Sequence, residues 1–356
     1  MNVSRKALAR LAPLLLFAAA ASAAWAGFDV KAVPLTPEKG VVNLDYFAFD
    51  PATGRLWVPA GNRASVIVLD RAGEVVGTIN DFATAEFELR GRRGRLGPSS
   101  VALGNGMAYV GNRADRSICI IDAATMKRGA CQSIGTAAQG WAAAPDAVVY
   151  VGATKELWVT RGAPPIGIAS SDKAMTIFDV SSGGKLKPKG KVALGASAEG
   201  YAVDETRGVF YTNLEERGET VAIDVHRRAI VKRWKSGCDE ARGLAIDRAR
   251  GFVFVACSGR VVALDADHAG KVLGSVNTGD GLDNIDYSET GHTLYAAASI
   301  AAVLTVAQVG ETGTFSDVES VPTVKGARGV VAGDAKRAYV ADPVGGQILI
   351  VTQTTP

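Results

Sequence analysis

The chain has 356 residues, with 39 Lys+Arg against 36 Asp+Glu and a formal net charge of +3. Arg5, Lys6 and Arg10 account for that whole excess, so the remainder is formally neutral and offers no basic field for a nucleic-acid backbone. Hydrophobic residues make up 47 %, yet no long 3.6-residue amphipathic period runs through them, which points to an all-β chain.

Residues 1–26 carry those three basic residues, then LAPLLLFAAAASAA, then Ala24-Trp25-Ala26. This is the pattern of a secretory signal peptide with an A-x-A site, and cleavage is expected after Ala26. The apolar run is short for a span of ~20 residues, and no later stretch is apolar enough to cross a membrane. The expected compartment is periplasmic or secreted, with residues 27–356 forming one domain.

A large aromatic residue then recurs at intervals of roughly 40–50 residues: Trp57, Tyr109, Trp158, Tyr211, Phe254, Tyr295 and Tyr339. Around each lies the same succession of short runs. A first run often ends in Asp (Asp50, Asp204, Asp247), and a Gly turn leads to the aromatic run. A third run ends in Asp in five units (Asp70, Asp122, Asp179, Asp224, Asp265), and a fourth leads onward. An Asp there suits a turn, because its carboxylate accepts from the backbone amides that follow. The expected fold is a seven-bladed β-propeller with four antiparallel strands per blade. The blades fall at roughly 41–80, 97–135, 140–194, 197–236, 239–277, 282–322 and 326–353.

The seventh unit stops after its third run, QILIVTQ, whereas Phe28–Leu35 (FDVKAVPL) is a spare run before the first. That segment is expected to complete the last blade, which would remove the open edges of the ring. Two stretches break the period: residues 81–97, with an Arg cluster, and residues 160–174, rich in Pro, Gly and Ser. Such loops on a rigid scaffold either carry function or are tolerated excursions.

All four cysteines fall in the exported part, an oxidising compartment. Cys119 and Cys131 sit on one hairpin at nearly opposed positions, while Cys238 precedes the first strand of the fifth unit and Cys257 ends its second. Two disulfides are predicted, Cys119–Cys131 and Cys238–Cys257. The histidines (His226, His268 and His292) fall in or beside turns and are expected at the solvated surface.

In a propeller the loops leading into the first strands surround one mouth of the central channel. Counting back from the Asp at each first strand's end gives Asp45 and Tyr46, Glu199, Arg242, Asp283 and Asn284, and Arg328 in the last unit. Asp146 and Trp141 serve the third unit, and Asp239 and Glu240 lie close to Arg242. The ligand-binding expectation is Tyr46, Trp141, Glu199, Glu240, Arg242, Asp283, Asn284 and Arg328. Glu199, Asp283 and Asn284 could hold a hard divalent cation such as Ca²⁺. The arginines could clamp an anionic group, and Asp45, Asp146, Arg242 and Arg328 are the candidates for proton transfer or substrate contact. Acid and Arg could equally neutralise one another and lock the blades.

YVGNRADRSICIID, YTNLEERGETVAID and FVACSGRVVALD resemble the YVTN-repeat β-propellers, including the YncE-like exported bacterial proteins. The likeness runs from Val41 to Thr352. It implies a binding or interaction protein; the expected partner is a small polar or anionic ligand or another protein, and the expected state is a monomer. A second reading comes from gluconolactonase-like propellers, in which a divalent cation held by Glu, Asn and Asp serves lactone hydrolysis. Glu199, Asp283 and Asn284 would take that part here. Redox propellers are not suggested, because nothing supplies an axial His or a quinone site.

Overall fold

A computed structural model describes residues 22–25, 27–89, 91–163, 168–169, 173–182, 184–238 and 240–354. Seven antiparallel sheets follow one another in chain order and close into a ring. In blade 2 the strands are Pro98–Gly104, Met107–Asn112, Ser117–Asp122 and Arg128–Ser133, running from the axis outward. The chain therefore passes down each first strand from one mouth of the channel to the other.

Burial follows from this layering. Second and third strands are sandwiched by neighbouring blades and read as unbroken apolar runs, as in Phe252–Cys257. Fourth strands face solvent, so Lys187–Ala193 buries only Val192. The aromatic residue that sets the period is the centre of the packing. All seven such residues are buried, and Trp158 stacks on Phe210 of the next blade at 5.1 Å.

Seven apolar clusters occupy the seven blade–blade interfaces, one each. Leu56 and Ile67 of blade 1 meet Tyr339 and Ile348 of blade 7 in one of them. That contact closes the circle. The spare run does complete the last blade: Phe28–Pro34 pairs antiparallel with Gln347–Gln353 over seven residues. Phe28 and Val30 enter the cluster shared with blade 6, and Val33 enters the one shared with blade 1. Ser22–Trp25 adds a further strand outside Phe28–Pro34. The rest of the predicted signal peptide, residues 1–21 and 26, lies outside the described residues.

The turn chemistry is as expected from the repeated Asp. Asp70 accepts from the amides of Ala72 and Glu74, Asp224 from His226 and Arg227, and Asp265 from Asp267 and His268, all at 2.8–3.0 Å. All three histidines are exposed. Both predicted disulfides are formed; Cys119 faces Cys131 directly across the hairpin, and Cys238 and Cys257 have Cα atoms 5.7 Å apart. No helix among the described residues is long and apolar enough to cross a membrane.

Candidate functional site

The loops leading into the first strands interlock around the upper mouth. Tyr46 pairs with blade 2 rather than its own blade: its amide donates to Ser99, and Val101 donates back to it. In blade 4, Gly200 adopts φ +66°, and a Cβ there would lie 2.5 Å from the Arg242 carbonyl of blade 5. The Asn213 amide donates to that same carbonyl at 2.6 Å, and Gly243 donates to the Asp283 carbonyl of blade 6 at 2.9 Å. The ring of polar positions is thus fixed by bonds from blade to blade.

These bonds bring the predicted acids together. Arg113 lies among them, with only 4 % of its side chain exposed; it donates to Asp45 at 2.7 Å and also to Asp146. Tyr46 reaches across the channel and donates to Glu199 Oε1 at 2.9 Å, joining blade 1 to blade 4. Arg328 pairs with Asp283 at 3.3 Å, while Arg242 pairs with Glu215 and Glu240, each at 3.3 Å.

Burial dominates the electrostatics. It pushes Asp146 up to about 6, although Arg113 pulls the other way. Glu199 is held well above the usual carboxylate range by burial and by the charges of Asp146 and Asp283, with Tyr46 opposing. Asp283 is raised by burial against the pull of Arg328. For Arg113, burial disfavours the charged form, but Asp45 and Asp146 more than offset it, so the guanidinium stays charged. A buried guanidinium between two carboxylates, and carboxyls raised above their usual range, make a site able to bind polar groups and exchange protons.

Of the expected residues, Asp45, Tyr46, Asp146, Glu199 and Asp283 form one electrostatically connected group. Arg328 belongs to it, and Asn284 lines the channel just inside, beside Asp45 and Tyr46. Glu240, Arg242, Asp283 and Arg328 line an outer pocket of about 490 Å³ at the rim, next to Ser258 and Ser299. Asp239 lies outside the described residues.

Trp141 is not part of this group. It belongs to a short 3₁₀ segment, Ala137–Ala143, and packs edge-to-face on Phe87 at 6.3 Å. Phe87 comes from an unforeseen hairpin, Ala85–Leu89 with Arg92–Leu96, in the first period-breaking stretch. Ile168, from the second such stretch, joins the same apolar cluster. The two insertions therefore meet over blades 2 and 3, with Trp141 as their packing centre. Residues 164–167 and 170–172 lie outside the described residues.

Among the described residues no three His, Cys, Asp or Glu side chains are grouped so as to hold a metal ion. Glu199 is engaged by Tyr46, Asp283 by Arg328, and the positive charge between Asp45 and Asp146 is the guanidinium of Arg113.

Three residues were missed by counting along the repeat. Arg113 follows Asn112 in YVGNR, on the loop after the second strand, which opens on the same face. Tyr201 and Asp286 lie two or three residues past the counted positions, inside the channel. The Asp-rich run LDNIDYS was the signal for Asp286.

No family model matches the chain, and no curated protein matches it. Solved structures do. A chain of Kuenenia stuttgartiensis hydrazine synthase is 14 % identical with a TM-score of 0.65, covering 90 % of this chain and 99 % of its own. A chain of a mitotic checkpoint complex is 10 % identical with a TM-score of 0.67, covering 100 % and 98 %. The U3-55K structure is 12 % identical with a TM-score of 0.64, covering 91 % and 98 %. At such identities the likeness is one of fold, and it agrees with the seven sheets: the chain is a seven-bladed β-propeller.

Proposed function

We propose that the protein is an exported binding propeller of the YVTN-repeat type whose ligand site is the upper channel mouth. The observation that carries this is the convergence of Asp45, Asp146, Glu199 and Asp283 on Arg113 and Tyr46, beside an open rim pocket bearing Arg242 and Arg328. Polar groups held at the centre of a rigid ring, next to a cavity, are the usual makings of a small-ligand site. The ligand is a small polar molecule. That one structural neighbour is a chain of a mitotic checkpoint complex also suits a scaffold that meets other proteins. Two disulfides suit the periplasm or the extracellular space.

A metal-dependent lactonase-like hydrolase is the competing reading, and nothing in the arrangement of Glu199, Asp283 and Asn284 favours it. A thermal-shift screen of the exported protein against small polar compounds tests the proposal. A compound that stabilises the wild type, but not the Arg242→Ser/Arg328→Ser variant, supports the mouth as its site. Hits indifferent both to that variant and to substitution of the channel residue Asp286 contradict it. Loss of stability with chelator, together with a stoichiometric divalent ion, would turn the reading to the hydrolase.

A further inference from the structure

The channel continues below the Tyr46–Glu199 bond. Two cavities of about 220 and 360 Å³ follow one another along the axis and share Ala48, Tyr201, Leu244 and Asp286. The larger falls within the range of small-ligand sites, roughly 300–1,000 Å³. It extends to the far ends of the first strands, where Tyr150, Glu205 and Arg248 border it.

Phe49, Tyr150, Tyr201 and Tyr287 contribute rings to its walls, beside aliphatic side chains and polar groups, and the smaller cavity above it is the more apolar of the two. The Tyr201 ring lies 5.7 Å from that of Tyr46, and its hydroxyl has no hydrogen-bond partner among the described residues. Asp286 accepts from the backbone amides of Ala332 and Tyr287, both at 2.8 Å. No basic side chain among the described residues stands within ion-pair distance of it. Arg248 is held instead by Glu289 at 2.8 Å and the Val203 carbonyl at 2.9 Å. At the upper end Glu199 likewise faces a tyrosine rather than a cation.

The channel therefore encloses carboxylates without enough positive charge to match them. An enclosed carboxylate that lacks a counter-charge is costly, and a cation entering the channel relieves that cost. An anion would meet Asp286 as a like charge. A bare divalent ion needs several oxygens at once, which the described acids do not gather. An organic ammonium needs one carboxylate and neighbouring aromatic rings, and Asp286 and Tyr201 line both cavities together.

We propose that this channel binds an organic ammonium, with its charge against Asp286 and its apolar part against Tyr201 and the neighbouring rings. The proposal rests on the reading of the mouth and channel as a ligand site, and adds the chemical class of the ligand.

Calorimetric titration of the full exported chain at neutral pH tests it, using n-butylammonium and tetramethylammonium chloride, with potassium chloride and sodium butyrate as controls. Saturable binding of the ammonium probes but not of the controls is expected. Asp286→Asn should weaken it by about tenfold or more, since a charge-assisted contact is lost. Tyr201→Leu should weaken it by about threefold or more, since the ring face is lost. Tyr201→Leu leaves the backbone bonds of Asp286 in place, so it carries the test if Asp286→Asn does not fold. Absence of ammonium binding in the wild type, or unchanged binding in Tyr201→Leu, overturns the proposal. Binding of butyrate alone overturns it while leaving the mouth as a ligand site. If no compound of the wider screen binds either, both readings fall.

Discussion

Arg113 stands between two carboxylates that are themselves nearly closed off from water, and its removal should be felt more than that of any rim residue. Arg113→Met would leave Asp45 and Asp146 buried without their counter-charge, a change worth about 3–5 kcal/mol at pH 7. The loss should shrink toward pH 5, where the raised Asp146 takes up a proton. Urea unfolding of the variant at both pH values checks this, and an equal loss at both would refute it. Tyr46→Phe removes the bond across the channel and should cost about 1–3 kcal/mol by the same measurement. Asp45, Glu199 and Asp283 were legible because each sits at the counted position of its repeat. Arg113 was not, because two different loops of each blade open on the same face, and counting followed only one. Trp141 misled for the opposite reason: near in sequence to Asp146, it turns away into an apolar cluster with Phe87.

At the level of elements, the loop leading into blade 5 is pinned at both ends. The Cys238–Cys257 bridge ties it to the second strand, and Gly200 of blade 4 packs on its backbone. Replacing both Cys238 and Cys257 by Ala should cost about 2–4 kcal/mol, read from the shift in urea midpoint. It should also weaken any ligand that needs Arg242. Gly200→Ala combines a left-handed φ with a blocked approach and should cost about 1–3 kcal/mol; an unchanged midpoint would show that the loops are not interlocked there. The disulfides and the turn aspartates were readable from spacing, because a hairpin's register is local. The hairpin Ala85–Leu89/Arg92–Leu96 was not, since its residues alternate weakly and its stability comes from Trp141 and Ile168, which are distant in sequence.

Across the whole molecule, the period in the aromatics gave the fold because each aromatic fills an interface between two blades, and seven interfaces make a ring. Deleting residues 27–36 would open the cluster between blades 7 and 1 and expose the Gln347–Gln353 edge, so the melting temperature should fall sharply. Asp146 and Asp286 are both raised to about 6, against 3.8 for a free Asp. The folded chain therefore binds protons more tightly than the unfolded one between those values. On their account stability falls as pH rises from about 4 to 6. An Asp146→Asn/Asp286→Asn variant should lose that part of the pH dependence in urea titrations. Ligand identity has no comparable period, because the channel is lined by one or two residues from each blade, and their meeting depends on the ring being closed.

The measurement that bears most directly on the central claim is the ligand-induced rise in melting temperature, compared across three substitutions. For a compound that stabilises the wild type, the rise should vanish in a variant of the mouth (Arg242→Ser/Arg328→Ser) or of the channel (Asp286→Asn). It should persist in His268→Ala on the outer turns. A rise that survives both inner variants, or disappears in His268→Ala, would place the ligand elsewhere and contradict the account.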